Sequence, residues 1–547
     1  MILKVPIKIL RGLSEGEDPL YEEFVDYFSK WKDDWETVEF TTNQLTEDQT
    51  KAIIKFAEND TENCDKYRAL LRRYKNYEKL LKMGDVRELK KLADIPDAFK
   101  SFVNKNLPNR LIYTQDEYGR INPYICVNAE YSPGQKDYPS SASMSFEAVR
   151  KGQVVSKHIT LHNEDLRGLT IAQILDMRDF LPETDELNNL HSGSLEKYAL
   201  LMRSTGRVAV GSDSGTSIED YETYYGSRST RERQFFFKEN VSPKVVIDFE
   251  GMYLDSSDKD KIKDDKRVYL KLFGENAKLP IHTYGNVFHL EEHIWISMHV
   301  DSLQFYQFKG REMMDKLILS EGDKNLIDIL MQLSKMKIND IVEGKSGGSF
   351  IMATGAPGTG KTLTAEVFSE TIEKPLYKVQ CSQLGLNVDQ VEKNLKTVLA
   401  KAARWGAILL IDEADVYVRS RGSDINQNAI VGTFLRTLEY YTGILFMTSN
   451  METEIDDAIL SRATAHIKYE APGAGDRMRI WQILNDQLEV GMSDADLKEL
   501  TTTFRKAVGR DIKSLLKLGK MYSTGMKVEC TKDTIVEISK FVPGVRV

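Results

Sequence analysis

The spacing of apolar residues changes three times along the chain, and each change marks a new part. After a short opening strand, DPLYEEFVDYFSKW puts Leu20, Phe24, Phe28 and Trp31 at helical intervals, and CDKYRALLRRYKNYEKLLKMG repeats the pattern through Leu70, Tyr74, Tyr77 and Leu81. Stripes at this spacing bury one helix face, so residues 1–105 are expected to form a helical N-terminal region whose aromatics are core. From 106 to 310 the period shortens. RLIYT, KHITLH, GRVAVGS, RQFFF, KVVIDF, VYLKLF and HIWISMHV are alternating runs separated by Gly, Asp, Asn, Ser and Pro, which predicts a β-rich domain. GSDSGTS near 213 and DSSDKDKIKDDK near 260 are expected to be exposed loops.

From Asp315 onward, strand, Gly-rich turn, helix, strand and helix follow one another, the order of a doubly wound α/β unit. Residues 311–471 are thus expected to form an α/β subdomain with a parallel sheet and flanking helices. Beyond Pro472, MRIWQILNDQL, DADLKELTTTF and GRDIKSLLKLGKMY return to helical spacing and predict a small helical lid over 472–547.

Composition narrows this picture only in places. A chain of 547 residues exceeds a single core, and 41% apolar with 29% charged residues is ordinary for a soluble protein. The net charge of -9 supplies no global positive field, which disfavours nucleic acid as the main partner. Cys64, Cys126, Cys381 and Cys530 lie too far apart for a paired zinc knuckle or a short-loop disulfide framework, and they fit a reducing compartment. MILKVPIKIL lacks the uninterrupted apolar core and cleavage site of a signal peptide. No later segment approaches the roughly 20 apolar residues of a membrane span. A soluble, cytoplasmic protein is expected.

The chemistry is concentrated after residue 350. SFIMAT runs into GAPGTGKT, a G-x-x-x-x-G-K-[ST] loop made of Gly355, Ala356, Pro357, Gly358, Thr359, Gly360, Lys361 and Thr362, with Leu363 next. Glycines let the backbone curl so that successive amides face phosphates, and a helix opening at Lys361 adds its positive end. Lys361 is then placed to neutralise the β and γ phosphates of ATP, and the Thr362 hydroxyl to ligate Mg²⁺. AILLID ends in Asp412, Glu413, Ala414 and Asp415, which puts two adjacent acids at the carboxyl edge of an apolar strand, where ligands bind in such sheets. Asp412 is expected to hold Mg²⁺ through its water shell and Glu413 to polarise the attacking water. GILFMTSN ends in Thr448, Ser449 and Asn450, and Asn450 is suited to orient that water.

With GAPGTGKT as Walker A, ILLIDEAD as Walker B, MTSN as sensor 1 and IDDAILSR as the arginine-finger segment, residues 315–525 resemble the AAA+ ATPases. More narrowly, PLYKVQCSQLG, VEKNL, WGAILLIDEADVYVRSR and FLRTLEYYTGILFMTSN look like a group of poorly characterised, often fungal, AAA proteins with one AAA module behind a large N-terminal region; KVVIDFEGMYLD echoes that region. The resemblance implies a homo-oligomeric, hexameric ring in which Arg462 reaches the γ-phosphate of the neighbouring subunit, and it makes Arg510 sensor 2 in the lid. The chain departs from the best-known members, which carry RPGRFDR where it has SRATAHI, so a second finger arginine is absent. Arg419 and Arg421 are read as exposed surface arginines, with a subunit interface as the alternative.

Protein-threading AAA rings carry an aromatic residue followed by Gly in the loop after the second strand, whereas this chain has Leu384, Gly385 and Leu386. Leu384 either contacts an extended polypeptide or packs within the assembly. His289, Glu292 and His293 fit the H-x-x-E-H zinc-peptidase pattern, but HIWISMHV alternates like a strand and would separate the histidines, so no metal site is expected there. The expected function is remodelling, unfolding or disassembly of a protein client or adaptor selected by residues 1–310. The alternatives are a DNA- or RNA-remodelling ATPase, such as a loader or translocase, and a nucleotide-gated scaffold.

Overall fold

The structure is a computed structural model. It describes residues 2–545 apart from 16–36, 42–43, 61–63, 82, 84–86, 117–118, 135–138, 151–152, 167, 212–213, 223–227, 237–242, 252–278, 320, 334–347, 386, 422–424, 440, 452–454 and 543–544. The stripe from Leu20 to Trp31 and the charged stretch near 260 lie outside the described residues.

At the N-terminus, strand Ile2–Pro6 pairs antiparallel with Thr37–Thr41, and helices Glu47–Asn59 and Cys64–Leu81 pack beside them. Leu3, Val5, Ile53, Ile54, Tyr67 and Leu70 form their common core. Thr46 starts the first of these helices by accepting from the Gln49 N–H while Gln49 reaches back to the Thr46 N–H, so both orphan donors are satisfied.

The β-rich region contains two sheets. The first has seven antiparallel strands in the order Arg228–Phe236, Ser214–Glu222, Trp295–His299, Tyr284–His289, Lys244–Ile247, Val208–Gly211 and Leu303–Phe305. The second is built around Leu111–Gln115, Ile121–Ser132, Ser141–Arg150 and Gln153–Leu161. The expectation for GSDSGTS needs correction, because Ser214–Glu222 is a strand rather than a loop. Its partners at 228–236 and 296–297 create it through backbone pairing that no local composition announces. The region also contains an 18-residue helix, Asp185–Met202, opened by Thr184 accepting from the Leu187 N–H.

The next sheet positions the chemistry. We label its strands β1 (Ser349–Gly355), β2 (Leu376–Gln380), β3 (Ile408–Asp412), β4 (Ile444–Ser449) and β5 (Ala465–Tyr469), with helices α1 (Lys361–Ile372), α2 (Val388–Trp405) and α3 (Ile425–Leu438) between them. All neighbours are parallel and the order is β2-β3-β4-β1-β5. The strands read as continuous apolar runs because helices cover both faces, and Ile351, Met352, Leu409, Leu410 and Met447 are fully buried. In α2, Val391, Leu395, Val398, Ala402 and Trp405 recur at helical spacing and point into that core. Four helices, α4 (Ala474–Gln487), α5 (Asp494–Thr503), α6 (Gly509–Met526) and α7 (Lys532–Ser539), close the described chain around Trp481, Leu497, Leu500, Leu515 and Ile535.

The β-rich region is packed onto this module through buried contacts. Val246, Phe288 and Leu290 share a core with Tyr377, Trp405 and Leu409. The ring of Phe288 lies 4.9 Å from Trp405 and 5.7 Å from Tyr377, and that of His293 lies 5.3 Å from Tyr377. Asp248, fully buried, accepts from Arg404 through Nε and Nη2 and from Trp405 Nε1, each at 2.8 Å. Glu370 near the end of α1 accepts from Lys244 Nζ at 2.6 Å, Tyr306 Oη at 2.9 Å and the Lys309 N–H at 3.0 Å.

Among the described residues no helix is long and apolar enough to cross a membrane. His289 Nδ1 accepts the Glu291 and Glu292 N–H groups at 3.2 and 3.1 Å and so caps the hairpin turn, while His293 sits in that turn at φ 58°.

Candidate nucleotide site

A strand order in which β4 lies between β1 and β3 brings three strand ends together at one carboxyl edge. The loop Gly355–Gly360 leaves β1 with φ of 143°, 82° and 106° at Gly355, Gly358 and Gly360, which is left-handed backbone that side chains resist. Space adds a second requirement at Gly358, where a Cβ would lie 2.9 Å from Arg510 Cβ and from Val508 Cγ2. The loop is therefore pressed against the start of α6, and Arg510 stands beside it.

Lys361 opens α1, and its ammonium donates to the carbonyl oxygens of Gly355 and Ala356 at 2.8 Å each. Burial pushes this lysine below its usual range while Asp412, Asp415 and Glu413 oppose the shift and Arg510 adds to it. Thr362 follows, and its hydroxyl donates to Asp412 Oδ1 at 3.0 Å. Thr359 ties the loop internally by donating to the Ala356 carbonyl at 2.8 Å. Pro357 lies within the loop, and Leu363 is exposed on α1.

Asp412 is the hub. Besides Thr362 it accepts from Thr448 Oγ1 at 2.5 Å, and Lys378 Nζ on β2 approaches its other oxygen at 2.7 Å. Burial works against ionisation here, but the hydrogen bonds from Lys378, Thr448 and Thr362 outweigh it and hold the carboxyl below the usual range. The next residue, Glu413, is exposed and takes φ 54°, a costly conformation for a side-chain-bearing residue. Two bonds hold it there. Its N–H donates to Thr448 Oγ1 at 2.9 Å, and its carbonyl accepts from the Cys381 thiol at 2.9 Å. Burial, with the acids of this loop, pushes that thiol up to about 12, so it remains a donor.

Asp415 connects this edge to β4, accepting from Ser449 Oγ at 2.5 Å and from the Asn450 N–H at 2.9 Å. Asn450 is thus locked to the acidic turn. The structure brings together the loop 355–360, Lys361, Thr362, Asp412, Glu413, Asn450 and Arg510. Arg462 stands apart. It is exposed just beyond helix Asp457–Leu460 and donates within that turn to the Ala458 carbonyl at 3.2 Å.

Three residues of the site were not singled out from sequence: Lys378, Cys381 and the bridging role of Thr448. Polar residues at or just past the ends of apolar parallel strands are the signal that marks them. Arg421, read as a surface residue, is half-exposed yet ion-paired with Asp456 at 2.8 Å. Asp456 in turn caps the helix before Arg462 by accepting from the Ala458 N–H at 2.9 Å. Leu384 is fully buried in the core of the module, which removes it as a contact for a client chain. Leu386 lies outside the described residues.

The residues fit a nucleotide and a divalent cation on these observations. The loop is a backbone cradle whose glycine conformations a Cβ would resist, it ends at a helix N-terminus, and Thr362 with Asp412 offers the hard oxygen donors that Mg²⁺ takes.

Comparison with known proteins agrees with the geometry. The family model for "ATPase family associated with various cellular activities (AAA)" matches residues 351–471. The chain is similar to the ATPase family gene 2 protein of Schizosaccharomyces pombe, 23% identical over 194 residues that make up 34% of this chain and 24% of that protein. It is also similar to a putative 26S proteasome regulatory subunit homolog of Methanocaldococcus jannaschii, 26% identical over 217 residues, 38% of this chain and 57% of the other. The chain therefore spans between a quarter and somewhat over half the length of these curated relatives. Among solved structures, a chain of the HORMA:CdnC:Trip13 complex of E. coli MS115-1 matches 44% of this chain and 95% of its own length, at 18% identity and a TM-score of 0.35.

Proposed function

Since this chain is an AAA+ ATPase whose single AAA module includes residues 351–471, we propose that it hydrolyses ATP with Mg²⁺ and uses the cycle, within a ring of identical subunits, to remodel a protein client selected by residues 1–310. The observation that carries this reading is the double attachment of the β-rich region. It holds Glu370 on the helix after the phosphate loop, and through Asp248 it holds Arg404 and Trp405, just before the strand that ends in Asp412. A rearrangement of the nucleotide edge would then be passed to the client-binding part through packed elements.

In this reading Lys361 binds the β and γ phosphates and Glu413 takes a proton from the attacking water, which Asn450 orients. Bound Mg²⁺ would neutralise phosphate charge, held by Thr362 and by Asp412 through water. Arg462 of one subunit serves the nucleotide of the next, and Arg510 senses it from the lid. Domain limits at 105, 310 and 471 belong to the same proposal, as does a cytoplasmic location. The test is ATP turnover with candidate ligands. Stimulation by an unfolded protein and none by DNA or RNA supports remodelling of proteins, while stimulation by nucleic acid alone overturns it. The burial of Leu384 favours a second reading, a nucleotide-gated scaffold, and turnover indifferent to every ligand would select it.

A further inference from the structure

The β-rich region contains a cavity of about 390 Å³ that shares no lining residue with the nucleotide site. Arg150, Lys157 and Arg178 line it, together with Asp116 and Asp179. Both acids are paired with arginines that do not line the cavity, Asp116 with Arg120 at 2.5 Å and Asp179 with Arg73 at 3.3 Å. The three lining cations form no ion pair with any described residue. The Arg150 guanidinium lies 4.1 Å from the centre of the Tyr284 ring, and the Lys157 ammonium lies 5.5 Å from that of Tyr124. Burial pushes Lys157 below the usual lysine range, with Asp179 opposing. His282, another lining residue, is held neutral by burial and faces the Pro123 carbonyl through Nε2 at 2.9 Å.

Two polar atoms of these lining residues are buried without a partner: Arg150 Nε, a donor, and Oδ1 of the buried Asn122, an acceptor. Such groups cost free energy when left unmet. An anion that also carries a donor answers both needs.

We propose that this cavity binds a small phosphorylated molecule bearing at least one hydroxyl. Phosphate oxygens accept from Arg150, Lys157 and Arg178, and the hydroxyl donates to Asn122. A dianion offsets more of the three charges than a lone carboxylate, and its three oxygens serve diverging donors. The volume falls in the range of roughly 300 to 1,000 Å³ usual for small-ligand sites. The site does not rest on the ATPase reading, and under the function proposed above it adds a metabolite input to the region that selects the client.

Calorimetric titration of the full chain carrying Lys361→Ala, so that the phosphate loop does not compete, tests this with glucose 6-phosphate, inorganic phosphate, glucose and gluconate, a hydroxylated lone carboxylate, as probes. Glucose 6-phosphate is expected to bind, inorganic phosphate and gluconate more weakly, and glucose not at all. Arg150→Gln and Lys157→Gln should each weaken glucose 6-phosphate at least about tenfold. Arg178→Gln, at an exposed position, reads the same site if either of those variants fails to fold. Silence from both phosphates, binding unchanged in the folded variants, or gluconate as tight as glucose 6-phosphate would overturn the assignment. Equal binding of inorganic phosphate would remove the hydroxyl contact.

Discussion

Arg404 meets Asp248 through two nitrogens at 2.8 Å, joining the last turn of α2 to a carboxylate buried in the neighbouring region. Removing one member of a buried pair leaves the other charge uncompensated, at a cost of about 3–5 kcal/mol. Arg404→Met should therefore lower the urea midpoint clearly, and Asp248→Asn added to it should recover part of the loss. Equal midpoints for Arg404→Met and the unsubstituted chain would mean that the pair contributes nothing to cohesion.

Glu413→Gln keeps the cradle of Lys361, Thr362 and Asp412 and removes only the proposed base. ATP affinity should change little, whereas turnover should fall by at least about 10²-fold, and the protein should accumulate with ATP bound. Lys361→Ala should instead weaken binding itself. Near-normal hydrolysis by Glu413→Gln would remove Glu413 from its role.

A finger supplied between subunits is typically worth about 10³ to 10⁵ in rate, and Arg462 touches none of its own subunit's phosphate-loop residues in the described contacts. Arg462→Ala should thus lower turnover at least about 10²-fold with little effect on affinity. Mixed with Lys361→Ala it should regain activity, since mixed rings contain boundaries where an intact loop faces an intact arginine. Failure to recover in mixtures proven to co-assemble would place Arg462 within its own subunit.

Acid should loosen the β-rich region. Burial pushes His191 down to about 4, His282 to about 3, and His299 downward as well. A base whose folded pKa is depressed contributes stability that is present above its unfolded value of about 6.5 and lost as pH falls, because the unfolded chain binds the proton first. Each such histidine adds a slope of about 1.4 kcal/mol per pH unit below that value. Denaturant unfolding at pH 7.0 and pH 5.0 should show a marked loss at the lower pH, smaller in His282→Gln. Identical stability at both values would contradict neutral burial.

The nucleotide edge was legible in the sequence because its residues are local. GAPGTGKT, the acids after AILLID and the polar end of GILFMTSN each sit at the end of one strand, and parallel pairing brings those ends together. What sequence did not reveal depends on long-range pairing. Thr448 is one polar residue among three until β4 is placed between β1 and β3, where its hydroxyl can touch both Asp412 and Glu413. GSDSGTS reads as a loop because only its partner strands make the stretch from Ser214 onward extended. Asp248 in KVVIDF carries no local sign that Arg404 and Trp405, more than 150 residues later, will surround it.

The packing of Phe288 and Trp295 against Trp405 and Tyr377 also bears on how this protein can be divided. A fragment cut at residue 311 would keep every motif of the ATPase yet bare an aromatic patch and strand Arg404 and Glu370 without their partners, inviting aggregation. The smallest autonomous folding unit is then larger than the module the motifs delimit. Exchange of N-terminal regions between related chains would have to carry residues 244–306 along with the AAA module.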